Sequence, residues 1–321
     1  MSEPAIDPNE QNPTGRKAVR SRTFVIIKWS VRAAFVLFIV GIFIVGFDGL
    51  FYFPDQNVYQ MPEEVQLDYE SVTFTASDGV KLSGWFFPAE GTPRGTVVHF
   101  HGNAGNITGH FQLIPWLIYR GYNVFVFDYR GYGQSEGKVT REGTIRDGHA
   151  ALDYVLARPD VDRERIYAFG QSLGGAVATV VAAERPEIRA VALDSTFSGY
   201  RRIGSRHLQK TLFFKGLTDL IAQAGLSGDY DPIDYVARIA PRPLLVIASR
   251  EDKICFAELG RELYDAAGEP KEFILVDRSE HLATVVENVS NVQGKIIELF
   301  ESAALTAPAS SQPSTSQSSN P

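Results

Sequence analysis

Cysteine is almost missing from this chain. Among 321 residues there is one, Cys255, so no disulfide can close within the chain and a thiolate-rich metal site is excluded. Histidine is sparse too: six are scattered with no zinc-ligand spacing, and no metal or cofactor is expected. Basic residues do not predominate either (31 Lys and Arg against 38 Asp and Glu), which gives no electrostatic reason to expect a nucleic-acid partner. Internal repeats are absent, which argues against a solenoid. What is present is an ordinary globular composition, 44% hydrophobic and 21% charged. It suffices for one domain of roughly 250 residues with short additions, and a domain of that size needs no covalent or metal staple.

The two ends differ from the middle. Residues 1–28 are polar, hold Pro4, Pro8 and Pro13, and finish in a basic cluster (Arg16, Lys17, Arg20, Arg22, Lys28); a disordered tail is expected. The uncharged run AAFVLFIVGIFIVGF follows at 33–47. With its flanks it predicts a single transmembrane anchor over 29–53, with Trp29 and the aromatic residues 51–53 at the two interfaces. A cleaved signal peptide would show small residues after the run, yet FDGLFYFP stands there. A buried core helix is the other alternative. All the flanking positive charge is N-terminal, which predicts a cytoplasmic N-terminus and an extracytoplasmic main domain. Residues 303–321, rich in Ser, Pro, Ala and Gln, predict a second disordered tail.

Between the tails, 54–302 alternates short apolar runs with amphipathic stretches. Ser71–Thr75 and Lys81–Phe87 around Asp78-Gly79 predict a hairpin. Strands are expected at Thr96–Phe100, Asn123–Asp128, Arg165–Phe169, Ala190–Asp194, Leu244–Ser249 and Glu272–Val276. Helices are expected at Ile107–Arg120, Glu142–Ala157, Leu173–Glu184, Glu258–Ala267 and Ala283–Phe300. Such alternation means an α/β fold, a mostly parallel sheet with helices on both faces. It breaks at about 196–234, which predicts a small helical cap insertion.

The chemistry centres on Gly170-Gln171-Ser172-Leu173-Gly174, a G-x-S-x-G motif between a predicted strand and a predicted helix. A sharp turn there exposes a serine hydroxyl, and the helix start offers amides to a developing oxyanion. The hydroxyl needs a base and the base an orienting acid, and in this architecture both follow the serine. His281, in a polar loop before the last helix, is the candidate base. His149 and His207 lie in expected helix and cap, and His99, His101 and His110 precede the serine. Asp252, just beyond a strand end, is the candidate acid, with Glu251, Asp277 and Asp194 as rivals. The amides of Asn103, in the glycine-bearing loop 101–106, and of Leu173 are the candidate oxyanion donors. Asp128, Arg130 and Ser135 are expected to fix a tight glycine-rich loop rather than to react.

HFHGNAGN at 99–106, DYRGYGQSEG at 128–137, GQSLGG at 170–175, DKI at 252–254 and SEH at 279–281 together resemble the Bem46 branch of the α/β-hydrolases. The resemblance covers roughly Leu50 to Phe300. It implies Ser172, Asp252 and His281 as a triad, Asn103 as oxyanion contributor and, often, an N-terminal anchor. Cys255 departs from it, since relatives often carry proline there. The expectation is a membrane-anchored serine hydrolase cleaving small or lipid-like carboxylic esters or thioesters through an acyl-enzyme. An amidase or peptidase with the same triad, or a silent anchored binding protein, are the alternatives. Phe197, Leu208, Leu212, Phe213, Phe214 and Leu217 of the expected cap could meet an acyl chain or simply pack the cap onto the core.

Overall fold

A computed structural model describes residues 26–30, 32–33, 51–210 and 215–306. The chain divides into two units, 1–47 and 48–321. In the first, the described residues are helical, with the Arg32 guanidinium 5.2 Å from the centre of the Trp29 ring. Among the described residues no helix is long and apolar enough to cross a membrane. Most of the apolar run expected to do so, and both expected tails apart from 26–28 and 303–306, lie outside them.

The second unit is built on eight strands: β2 (Glu70–Thr75), β3 (Lys81–Phe87), β4 (Thr96–Phe100), β6 (Asn123–Phe127), β7 (Ile166–Gln171), β8 (Ile188–Asp194), β9 (Leu244–Ser249) and β10 (Lys271–Val276). Their order across the sheet is β10-β9-β8-β7-β4-β6-β3-β2. The six strands from β10 to β6 run parallel and the β2–β3 hairpin is antiparallel at one edge. Two short strands, β1 (Phe53–Pro54) and β5 (Ala104–Gly105), pair separately.

The inner strands are mostly apolar, with His99 of β4 as a buried polar exception, because helices cover both faces. Val98, Phe100, Phe125 and Phe127 point into one core with Leu152 and Val155 of α3 (Arg141–Ala157), Val177 and Val181 of α4 (Leu173–Glu184) and Leu263 of α7 (Ala257–Ala266). Their neighbours in the strands, Val97, Val124 and Val126, point into the opposite core. There they meet Leu117 and Ile118 of α2 (Pro115–Tyr119) and Ile296 and Phe300 of α9 (Gly294–Thr306). This period-two division buries each β-branched or aromatic side chain on a covered face.

Two expected helices are broken. The stretch 107–120 forms α1 (Ile107–His110), a 3₁₀ turn at Phe111–Leu113 and then α2, because Pro115 has no N–H to continue a ladder and instead begins a new helix. The last stretch starts as α8 (Thr284–Glu287), widens to a π turn at Val289–Gln293, and only then becomes α9. Between β8 and β9 lie α5 (Tyr200–Gln209) and α6 (Lys215–Gly225), followed by 3₁₀ turns. The aromatic residues 51–53, expected at the membrane interface, are part of the α/β body. Tyr52 is 5% exposed in the core, and the Phe51 ring meets those of Phe197 and Tyr200 edge-on. The body therefore takes in chain before the expected start at 54.

Candidate active site

Parallel strands deliver their C-terminal ends to one edge of the sheet. Ser172 follows β7, the loop 101–103 follows β4, Asp252 follows β9 and His281 follows β10. Ser172 stands at φ +54°, ψ −119°, a conformation a non-glycine residue holds only where its surroundings compel it. The surroundings here are glycines and strand backbone. A Cβ at Gly170 would lie 2.7 Å from the Gly174 carbonyl oxygen, and one at Gly175 would lie 2.5 Å from Thr196 Oγ1. The Ser172 amide donates to the Asp194 carbonyl at 3.0 Å and Thr196 Oγ1 donates to the Ser172 carbonyl at 2.8 Å. Turn and helix start are thereby clamped between β4 and β8.

The structure brings Ser172, His281 and Asp252 together. His281 Nε2 is 3.0 Å from Ser172 Oγ, and its Nδ1 is 2.8 Å from Asp252 Oδ2. The other oxygen of Asp252 accepts the amides of Ile254 at 2.8 Å and Cys255 at 2.9 Å, so the carboxylate is fixed from both sides. The rival acids are placed otherwise. Glu251 is exposed and Asp277 pairs at the surface with Arg250. Asp194 is fully buried and accepts Gln171 Nε2, Ser195 Oγ and Thr284 Oγ1; burial pushes its carboxyl up while those donors pull it down. Through Thr284, Asp194 also steadies the chain just after His281.

The other histidines have separate partners. His149 meets Glu184 at 2.9 Å, and His99 Nε2 meets Gln171 Oε1 at 3.0 Å. His101 bonds the Gly102 carbonyl and stacks on His110, which bonds the Ala104 carbonyl; burial lowers the pKa of both rings. Asp128 accepts the Ile107 amide, and burial raises its carboxyl to about 7. Arg130 forks onto Asp147 and Asp78, and Ser135 bridges the Ser83 amide to the Asp128 carbonyl.

A cavity of about 450 Å³ opens over Ser172. Asn103 and Leu173, the candidate amide donors, line it together with His281. Leu173 opens α4, where a helix amide has no acceptor within its own helix. Gly102 keeps the approach open: a Cβ there would be 3.1 Å from the His110 ring and 3.7 Å from Ser172 Cβ. Phe197, Ile203 and His207 from the region between β8 and β9 form one side, with Ile254 and Cys255 from the Asp252 loop. Leu208 and Leu217 do not line it, and residues 212–214 are outside the described set. Cys255 Sγ lies 3.7 Å from Ser172 Oγ, and burial pushes its thiol far up, so it stays a neutral neighbour. Phe51 and Phe53 complete the wall. Sequence reasoning missed them; the signal available was two aromatics spaced by two, on one side of an extended segment.

Comparison with known proteins agrees with this architecture. A family described as "Serine aminopeptidase, S33" matches residues 91–238, which include Ser172 but end before Asp252 and His281. The uncharacterized protein YfhR of Escherichia coli O157:H7 is 38% identical over 255 residues, 78% of this chain and 84% of its own length. Protein bem46 of Schizosaccharomyces pombe is 28% identical over 250 residues, 74% of this chain and 81% of its own. The solved Pyrococcus furiosus esterase Pf2001 superposes with a TM-score of 0.65 at 25% identity, covering 78% of this chain and 98% of that one. With the sheet order, the serine turn and these relatives in hand, the chain belongs to the Bem46-like α/β-hydrolases.

Proposed function

We propose that the chain is a serine hydrolase cleaving carboxylic esters or thioesters of a neutral, apolar acyl group through an acyl-enzyme. The observation that carries this reading is the proton path: Ser172 Oγ, His281 Nε2, His281 Nδ1 and Asp252 Oδ2 in hydrogen-bond series. His281 takes the Ser172 proton as the oxygen attacks the carbonyl carbon. Asp252 holds the tautomer that leaves Nε2 free to do so and stabilises the imidazolium. The amides of Asn103 and Leu173, with the start of α4, receive the oxyanion. His281 then protonates the leaving alcohol or thiol. Water, activated by the same imidazole, attacks the acyl-enzyme and releases the acid and Ser172.

The cavity lining argues for the acyl group. Among the described residues lining it there is no Asp, Glu, Lys or Arg. An aminopeptidase substrate presents an α-ammonium, and burying that charge without a carboxylate partner is costly. A neutral acyl chain matches the Phe, Ile and Leu side chains that are there. A fluorophosphonate probe tests the reading directly. Labelling of the wild type that disappears in Ser172→Ala supports it, and labelling that survives in that variant overturns it.

A membrane anchor in the segment preceding Phe51, with the N-terminus cytoplasmic and the hydrolase body extracytoplasmic, belongs to the same proposal and rests on the uncharged run 33–47 and its one-sided basic flank. Alkaline phosphatase fused after residue 306 should be active. An inactive but stable fusion would reverse the orientation.

A further inference from the structure

The segment 51–59 has no helix and only a two-residue strand, yet it is held at many points to the loop that follows β4. Phe53 donates its amide to Asn103 Oδ1 at 3.1 Å, and Tyr132 Oη donates to the same oxygen at 2.8 Å. Asn103 Nδ2 donates to the Phe51 carbonyl at 2.5 Å. Phe53 and Pro54 pair in parallel register with Ala104 and Gly105. One step further on, Asn106 Nδ2 reaches Asp55 Oδ1 at 3.0 Å and the Asn57 carbonyl at 2.8 Å, and Gly133 donates its amide to the Asp55 carbonyl at 2.9 Å. Tyr59 donates its amide to Thr108 Oγ1 at 3.0 Å and lays its ring on Gly105 and Gly109, 3.4 and 3.3 Å from where a Cβ would stand.

The Asn103 carboxamide is therefore committed. Its oxygen accepts two donors and its nitrogen serves the Phe51 carbonyl, so this side chain is taken up by the segment rather than by a substrate. What the segment presents to the cavity is Phe51 and Phe53. Phe51 is locked from behind by the rings of Phe197 at 6.0 Å and Tyr200 at 5.1 Å, while Phe53 is 62% exposed at the mouth. One aromatic is deep and fixed, the other at the rim and free to meet a longer chain.

We propose that residues 51–54 are a substrate-binding element of this hydrolase: Phe51 and Phe53 form one wall of the acyl subsite, and the Asn103 side chain is the positioning residue that holds that wall against the oxyanion loop. Acyl-chain preference is thus set in part by chain lying before the α/β alternation begins. The inference rests on the ester-hydrolase reading above.

The test uses the full-length chain with p-nitrophenyl acetate, too short to use the wall, and p-nitrophenyl octanoate, long enough to need it. The ratio of kcat/KM for octanoate to that for acetate should fall about tenfold or more in Phe51→Ala, the scale of a lost apolar contact in a binding pocket. It should fall in the same direction in Asn103→Ala. The double variant should be no lower than the worse single, since both changes remove one wall. Tyr132→Phe removes one bond to the same oxygen and should give a smaller fall, which keeps the question answerable if Asn103→Ala does not fold. An unmoved ratio in folded Phe51→Ala, or single losses that multiply in the double variant, overturns the proposal. A wild type that turns over neither ester overturns the hydrolase reading instead.

Discussion

A Cβ placed on Gly174 would stand 2.0 Å from the carbonyl oxygen of Phe100. Two elements far apart in the chain, the start of α4 and the end of β4, thus touch backbone to backbone, and the loop carrying Asn103 begins where that contact ends. Gly174→Ala cannot be absorbed by a side-chain rotation, because the neighbour is main chain. Either β4 or the serine turn must move, and overpacking against rigid backbone costs about 3 kcal/mol, the upper end of the usual range. Thermal unfolding of Gly174→Ala should show a loss of that order, with ester turnover lost alongside.

Ser172 is the counterpart of that close approach. At φ +54° it holds a conformation that costs a side-chain-bearing residue about 1–3 kcal/mol and glycine little. Ser172→Gly and Ser172→Ala should both lack turnover, yet differ in stability. The glycine variant should unfold at higher denaturant than the alanine variant by about 1 kcal/mol or more. Equal stability would mean that the turn carries no backbone strain.

Asp252→Asn should be far more damaging than its small change in shape suggests. The Oδ1 position must keep accepting the amides of Ile254 and Cys255. The new amide nitrogen is then turned toward His281 Nδ1 as a donor. That ring nitrogen must become the acceptor, the proton moves to Nε2, and the nitrogen facing Ser172 can no longer take a proton. A fall in kcat of about 10³–10⁴-fold with little change in KM is expected, measured on p-nitrophenyl esters.

The elements that carry the site were legible because their signals are local and strong. The predominantly apolar runs of β4, β6, β7 and β9 read as buried parallel strands, and the elbow glycines mark the strand-to-helix turn between β7 and α4. Less visible were features made by tertiary contact. The helix expected at 107–120 breaks where Pro115 removes a ladder donor, and Asn106 Oδ1 caps only a short first piece by accepting the Thr108 amide. The segment 51–59 offers only the two-residue spacing of Phe51 and Phe53, and its aromatics next to a long uncharged run pointed to a membrane interface. Its place is set by the carboxamides of Asn103 and Asn106, fifty residues later, which no local pattern encodes.

The Arg130–Asp147 pair gives a stability test away from Ser172. Arg130 is almost wholly buried, and its guanidinium reaches Asp147 at 2.8 and 3.0 Å and Asp78 at 2.7 Å, while its amide meets Asp147 at 2.8 Å. The two acids respond differently: bonding to Arg130 holds the partly exposed Asp78 carboxyl down at about 2, whereas burial raises that of Asp147. Asp147→Leu leaves a buried cation with one acid instead of two and should cost about 3–5 kcal/mol in urea unfolding. Arg130→Met with Asp147→Leu should recover part of that loss. A double variant no better than the single would show that the Asp147 carboxylate serves the turn through its bond to the Arg130 amide rather than through charge.

His99 sets a pH limit on the fold. It has no exposed surface, donates from Nε2 to Gln171 Oε1, and its Nδ1 has no partner among the described residues. Charging the ring would add a second N–H with nothing to accept it, and burial lowers the pKa to about 3 from 6.5. Between those values the unfolded chain binds the extra proton and the folded chain does not. The contribution is therefore complete above pH 6.5 and is lost as pH falls toward 3, at up to about 1.4 kcal/mol per pH unit. His101 and His110, also lowered by burial, act in the same direction. Asp128 opposes them: its carboxyl, raised to about 7 from 3.8, favours the fold below that window and loses the benefit as pH rises through it. Urea unfolding of the wild type and of His99→Gln between pH 4.5 and 6.5 separates the terms. The variant should lose stability less steeply on acidification, by up to one proton's worth of slope, and parallel curves would mean that His99 is not held neutral in the fold.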